Sequence, residues 1–260
     1  MKIHFIGTGS GKFTRNRFFT SFIIETKGYK ILVETGDGIA SEMMNRGIDI
    51  NSINGIVISH LHQDHAGGFA GLIAQMKLTN RKLPLKVFIH SSIKPFLEIS
   101  LLHSYIFTER LGFKLEMIEY EYDREFSIDG KIDVLAKENK HLDKYFEYKE
   151  KTEIKFSSSS FLFCSDGIKL FYTGDIGRKE DLTLFENHPV THVLAEVTHI
   201  PIKELFEELL LLYPVEKLCL IHIPSEKEKI IIDFYNNLGN DMKQKMVITE
   251  DGMNLEVKSY

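Results

Sequence analysis

The 260-residue sequence predicts one mixed α/β domain spanning residues 1–260. Strand patterns lead the first third, helical spacings alternate with short apolar runs later, and no Pro/Gly/Ser-rich linker separates them. At 43% hydrophobic residues the chain carries ample material for a buried core.

The opening reads as three strands between glycine turns: Lys2 to Ile6, Ser21 to Thr26 and Tyr29 to Glu34, with Gly7-Thr8-Gly9-Ser10-Gly11 and Lys27-Gly28 as the turns. Gly38 to Arg46 has Ile39, Ala40, Met43 and Met44 at helical spacing, and Gly47 stops it. Gly55 to Ser59 is a short buried strand. Gly68 to Leu78 reads as a helix, Leu85 to His90 as a strand, and Lys94 to Arg110 as a longer helix on Phe96, Leu97, Leu101 and Leu102.

Lys114 to Lys137 reads as further strands and turns, and the polar stretch Glu138 to Lys155 follows. Ser159 to Cys164 and Lys169 to Thr173 form a hairpin, with Asp166-Gly167 as its turn signal. Val193 to Val197 and Leu218 to Ile221 read as strands, Ile202 to Leu212 and Glu226 to Leu238 as helices. The chain then runs through Met246 to Thr249, the Glu250-Asp251-Gly252 turn, and Met253 to Val257.

Composition narrows the function classes. The start lacks the long apolar stretch and small-residue cleavage site of a secretion signal, and no window supplies the roughly 18 uncharged apolar residues of a membrane helix. A cytoplasmic protein is the simplest expectation. Cys164 and Cys219 lie in apolar strand-like runs and read as buried thiols, which excludes a disulfide framework. The formal net charge of -5 argues against a broad electropositive face for nucleic acid. One local basic stretch, Lys12-Phe13-Thr14-Arg15-Asn16-Arg17, is either a phosphate contact or a solvated loop.

The chemistry concentrates in His60-Leu61-His62-Gln63-Asp64-His65, which places four metal-capable side chains within six residues on the loop leaving a buried strand. A loop can aim neighbouring residues at two adjacent points, whereas a helix sends His60 and His62 to different faces. Imidazole and carboxylate donors suit zinc, with manganese or iron as alternatives. Gly67 and Gly68 give the chain freedom to turn tightly out of the cluster.

This motif resembles H-x-H-x-D-H of the metallo-β-lactamase superfamily. The likeness continues through Gly7-Thr8-Gly9-Ser10, Glu34-Thr35-Gly36-Asp37-Gly38 and Asp251-Gly252-Met253, and is greatest toward the ribonuclease Z branch and its phosphodiesterase relatives. The resemblance implies a four-layer αββα sandwich with a metal site at one edge of the two sheets. It also implies further ligands after later strands.

Three residues fit that order. His141, after Val134 to Lys140, is the candidate third ligand beside His60 and His62; His90, also after a strand, is its rival, while His103 sits in a helical pattern. Asp175, after Phe171 to Gly174, matches the bridging carboxylate, and His222, after Leu218 to Ile221, would complete a second site with Asp64 and His65. The implied chemistry is that of two divalent ions sharing one water and lowering its pKa from 15.7 toward about 7. The resulting hydroxide would attack an anionic ester.

His199, after Ala195 to Thr198, matches the non-ligand histidine of the ribonuclease Z branch as proton donor, with support of a neighbouring ligand or a plain place beside a helix N-cap as the alternative. Glu34 stands where relatives carry Asp, and would orient a ligand histidine through its other ring nitrogen.

Two features depart from ribonuclease Z. Only 34 positions separate His141 from Asp175, too few for the tRNA-gripping arm, and Gln63 replaces the usual glycine. The leading expectation is therefore a phosphodiesterase acting on a small anionic ester, a cyclic nucleotide or another nucleotide derivative. An RNA-processing nuclease that recruits its substrate through the Lys12 to Arg17 loop or a dimer partner is the second. A lactone or thiolester hydrolase, or a non-catalytic metal protein, completes the set.

Overall fold

The structure is a computed structural model, and it describes residues 1–153 and 155–258. Fourteen strands among the described residues form two seven-stranded sheets. The first is built from β1 (Lys2–Gly7), β2 (Ser21–Thr26), β3 (Tyr29–Val33), β4 (Gly55–Val57), β5 (Leu85–His90), β6 (Leu115–Tyr120) and β14 (Asn254–Glu256), in the order β14-β1-β2-β3-β4-β5-β6. The second holds β7 (Glu125–Ile128), β8 (Ile132–Glu138), β9 (Ser159–Ser165), β10 (Ile168–Tyr172), β11 (His192–Glu196), β12 (Lys217–Ile221) and β13 (Met246–Ile248), in the order β13-β12-β11-β10-β9-β8-β7.

Each sheet has an antiparallel and a parallel half. Strands β3 to β6 and β10 to β13 pair in parallel, while β14-β1-β2-β3 and β7-β8-β9-β10 are antiparallel. The predicted hairpin is β9-β10, and its turn residues Asp166 and Gly167 both have positive φ (52° and 77°), as a two-residue hairpin of this hand requires.

Why the strands read as unbroken apolar runs follows from the packing. Successive side chains point to opposite faces, and here both faces are covered. Phe22 and Ile24 of β2 and Ile31 and Val33 of β3 meet Phe161, Phe163, Tyr172 and Cys219 between the sheets. Their neighbours Ile23 and Leu32 face outward against helices α1 (Ile39–Asn45), α3 (Phe69–Leu78) and α4 (Lys94–His103). On the other sheet Val193, Ala195, Leu218 and Leu220 pack under α5 (Ile202–Leu212) and α6 (Glu228–Asn236). Three apolar layers separate four structural layers, which is the αββα sandwich. Each fully buried Leu, Ile, Val or Phe contributes about 1.5–3 kcal/mol.

Several boundaries differ from the sequence expectation. The long helix ends at His103 rather than Arg110, because Tyr105 is left-handed (φ 57°) and the Tyr105 and Ile106 amides bond back to Leu102 (3.0 Å) and Leu101 (2.9 Å). That closes a Schellman motif with tyrosine where glycine is usual, so no sequence signal marked it. A 3-10 turn covers Thr108–Arg110. The polar stretch after His141 contains a 3-10 segment, Asp143–Lys151, and its Ile154 lies outside the described residues. Helix α7 (Asn240–Lys245) and the 3-10 turn Lys179–Thr183 lacked apolar periodicity and were not expected. Cys219 is buried but Cys164 is only half-buried, because it faces outward from β9. Among the described residues no helix is long and apolar enough to cross a membrane.

Candidate metal centre

The sheets open at one edge, where the C-terminal ends of β4, β8, β10 and β12 lie; β8 and β10 share a direction because each is antiparallel to β9. In parallel sheets that edge is where ligand sites form. His60 and His62 leave β4 on a loop, as expected. Asp64 and His65, however, sit in the one-turn helix α2 (Gln63–Ala66), started by His65 N and Ala66 N bonding to His62 O at 2.9 and 2.8 Å.

Helix α2 is held by the segment after β3. Thr35 N bonds to His65 O (2.7 Å), Asp37 N to Gln63 O (3.0 Å) and Gly68 N to Thr35 O (2.8 Å). This zipper leaves no room for side chains: a Cβ on Gly36 would lie 2.3 Å from Asp64 O, and one on Gly68 would lie 2.3 Å from Gly36 O. Gly68 is therefore needed for close approach rather than for a turn, and its φ of −88° is an ordinary one that leads straight into α3.

All seven expected ligands converge. His60, His62, His141 and Asp175 form one group and Asp64, His65, Asp175 and His222 another, with the donor atoms of each group within 4.8 Å of one another. In the first, His141 Nε2 lies 3.2 Å from His62 Nδ1 and 3.6 Å from Asp175 Oδ2. In the second, Asp64 Oδ2 lies 3.2 Å from His222 Nε2 and 3.4 Å from His65 Nε2, and Asp175 Oδ1 lies 3.4 Å from His65 Nε2 and 3.5 Å from His222 Nε2.

These spacings fit a metal. Four ligands about 2.0–2.1 Å from a tetrahedral zinc stand about 3.3–3.4 Å apart. His60 Nε2, both ring nitrogens of His65 and Asp175 Oδ1 are moreover buried without a hydrogen-bond partner. Buried polar atoms are rarely left so, because each such loss costs about 1–3 kcal/mol. Cations held by the two groups would satisfy His60 Nε2, His65 Nε2 and Asp175 Oδ1, while His65 Nδ1 faces Glu34.

Ligands must be deprotonated, and His60, His62, His141, Asp64 and Asp175 are biased that way, whereas His65 is biased toward its protonated form until a cation displaces the proton. Burial holds His60 and His62 below the ordinary imidazole value and takes His141 down to about 3. Burial pushes Asp64 and Asp175 upward, but His222 and His65 override it and hold both well below the usual carboxylate range. For His65, burial is opposed by Asp175 and Glu34, which raise it well above the ordinary value.

Buried carboxylates and hydroxyls orient the rings. Glu34 Oε1 stands 3.4 Å from His65 Nδ1 and accepts from Tyr172 OH (2.9 Å), while its Oε2 accepts from Ser59 N (3.2 Å). Ser59 Oγ is 2.9 Å from His60 Nδ1, and Thr198 Oγ1 is 2.8 Å from His222 Nδ1. His222 is left-handed (φ 52°), a state costing a non-glycine residue about 1–3 kcal/mol and held here by Ile223 N on Thr8 O (2.8 Å). Asp181 ties two ligand loops together, accepting from Lys140 N (3.1 Å) and Gly177 N (2.8 Å). Neither Asp181 nor Thr198 was singled out from sequence, since neither carries a motif of its own.

His199 lies beside the first group, its ring centroid 4.8 Å from that of His141. Its Nδ1 is 2.8 Å from Oε1 of buried Glu196, which raises its pKa against the opposing effect of burial. His90 is excluded from both groups: it stacks on Tyr122 at 4.1 Å and bonds Ser92 at 2.8 Å. His103 is an exposed helix end. Within the basic stretch, Arg17 is committed internally to Glu228 (2.5 Å), Thr8 (2.6 Å) and Thr249 O (2.7 Å), leaving Lys12 and Arg15 exposed.

Comparison with known proteins agrees with this geometry. A family model described as Anti-Pycsar protein Apyc1 matches residues 1–248. The chain belongs to that family. Ribonuclease Z of Saccharolobus solfataricus is 36% identical to this Apyc1-family chain over 128 residues, 49% of this chain and 43% of that one. The chain thus spans less than half the length of the curated relatives it matches. Human tRNase Z, short form, superposes with a TM-score of 0.72 at 18% identity, covering 100% of both chains. A diphosphatase from the PhnP family superposes with a TM-score of 0.70 at 13% identity, covering 99% of this chain and 98% of that one. The Apyc1-family chain therefore has the metallo-β-lactamase fold, and the divalent metals that the fold implies have a fitting donor set in its two groups.

Proposed function

We propose that the chain is a metal-dependent phosphodiesterase acting, as one hydrolase domain over residues 1–260, on a small anionic ester derived from a nucleotide, cyclic nucleotides included. Asp175 carries this reading: it is a buried carboxylate common to two four-donor groups, the arrangement a bridging ligand requires. The imidazole-rich donors favour zinc, ahead of manganese or iron. His60, His62, His141 and Asp175 would hold one ion, and Asp64, His65, Asp175 and His222 the other. Bound there, the pair supplies Lewis acidity and lowers the pKa of water toward about 7.

The remaining work falls to the chain itself. Glu196 fixes His199 through Nδ1, so the other ring nitrogen is free to carry a proton to the leaving oxygen. Glu34 and Thr198 hold the rings of His65 and His222 with Nε2 toward the carboxylates. A reduced cytoplasmic setting fits the two free thiols.

The relatives named ribonuclease Z favour a second reading, an RNA 3′-end nuclease. The short interval between His141 and Asp175 and the net charge of -5 weigh against it. Side-by-side kinetics on a 3′,5′-cyclic nucleotide and a precursor tRNA, with zinc or manganese, decide between them. The phosphodiesterase reading expects the higher kcat/KM on the nucleotide; faster release of a tRNA trailer would sink it.

A further inference from the structure

The segment following His141 brings two side chains with binding chemistry to the metal centre. Asp143 N bonds to Lys140 O (3.2 Å) and Tyr145 N to Leu142 O (2.9 Å), so the first turn after His141 is anchored to the ligand loop, itself pinned by Asp181. Tyr145, half-buried, meets the His62 ring at 5.9 Å and the Phe156 ring at 6.1 Å. Exposed Lys144 places Nζ 5.2 Å from the Tyr145 ring centroid.

Lys144 stands three residues after His141, beside the ring that meets His62. Its positive charge acts to lower the imidazole pKa of His62 after β4, His141 after β8 and His199 after β11.

Resting on the phosphodiesterase reading, we propose that Lys144 and Tyr145 form the substrate subsite of this centre. Lys144 meets a phosphate oxygen that is not transferred, and the Tyr145 ring lines the nucleobase. An ammonium is a compact point charge suited to phosphate, and an aromatic ring contacts any base through its π face. Both are positioning residues; neither carries a proton in the reaction.

The test compares parent, Lys144→Gln, Lys144→Arg and Tyr145→Leu, each checked for bound metal. For a 3′,5′-cyclic nucleotide, Lys144→Gln should raise KM about tenfold with kcat changed less than about threefold. The same variant should flatten the salt dependence of KM, and Lys144→Arg should recover most of the loss. Tyr145→Leu should lose about fivefold more kcat/KM on the cyclic nucleotide than on methyl p-nitrophenyl phosphate, which has no base. Calorimetric binding of a nucleoside 5′-monophosphate reads the subsite without turnover. A parent that hydrolyses no phosphodiester sinks the phosphodiesterase reading, whereas equal Kd and equal salt slope in parent and Lys144→Gln sink the subsite.

Discussion

Asp64→Ala and His141→Ala make a paired test of how the donors divide between the two ions. Asp64 Oδ2 touches His222 Nε2 and His65 Nε2, so its loss leaves one group with His65, Asp175 and His222 while the other keeps all four donors. His141→Ala does the reverse, stripping the group of His60, His62 and Asp175. Each variant should fall from two metal equivalents to one by elemental analysis. An ion present at a thousand times its Kd stabilises the fold by about 4 kcal/mol. For a chain of this size that is about 8–16 °C in Tm, so chelator should depress the Tm of either variant by about half as much as it depresses the parent's. Turnover should drop at least about a hundredfold, since even outer-shell partners cost 10- to 100-fold. Two retained equivalents with parental turnover in Asp64→Ala would refute its place as a ligand. Loss of both ions from that variant would refute the division into two separable groups.

Three further outcomes follow from single contacts. His199→Ala should lower kcat by about 10²–10⁴ on an alkyl phosphodiester but far less on a p-nitrophenyl ester, whose leaving oxygen needs no proton; equal losses would rule out proton donation. Glu34→Gln removes the carboxylate at His65 Nδ1 while preserving its size, and should weaken metal affinity about 10- to 100-fold in a chelator competition. His192, 5% exposed on β11, is brought by burial from 6.5 to about 4, with Lys217 adding to the effect. The unfolded chain therefore binds this proton more readily than the folded one between those values. Its contribution is present above pH 6.5 and is lost as pH falls through 4, by at most about 3 kcal/mol, so His192→Gln should flatten the decline of Tm across that window.

The layered fold was legible because its signals are local. Glycine turns, apolar runs and helical spacings marked most strands and helices. What escaped was structure fixed by long-range contact. Tyr105 closes α4 through backbone bonds and a buried Ile106, not through a glycine, so the pattern ran on to Arg110. Gly68 looked like a turn glycine, yet the reason for it is the Gly36 carbonyl lying against it, as Gly36 is in turn required by the Asp64 carbonyl. The seven candidate ligands were identifiable because metal donors follow strand ends in a fixed order. His90 also follows a strand, and sequence alone left it as a rival to His141. Its register decided the matter, for β5 delivers it beside Tyr122 and Ser92, away from the other histidines.

The residues that sequence could not assign are those whose role exists only relative to another side chain. Glu196 and Asp181 are ordinary acids in the sequence, and each proves to be buried and bonded to a loop that bears a candidate ligand or proton donor; Glu34, whose orienting role the family resemblance implied, is buried and bonded in the same way. Asp251 extends the pattern: it accepts from Thr8 N (2.8 Å), Thr8 Oγ1 (2.7 Å) and Phe18 N (2.6 Å), tying the end of the chain to the glycine loop at its start. That loop in turn receives Ile223 N on Thr8 O and lays Gly11 against the Asp64 carboxylate. The candidate metal centre is thus braced through the loops that hold Thr8 and Asp251, because its donors come from loops that neither sheet positions alone. Strand order brings them to one edge, and buried carboxylates hold the loops that carry them.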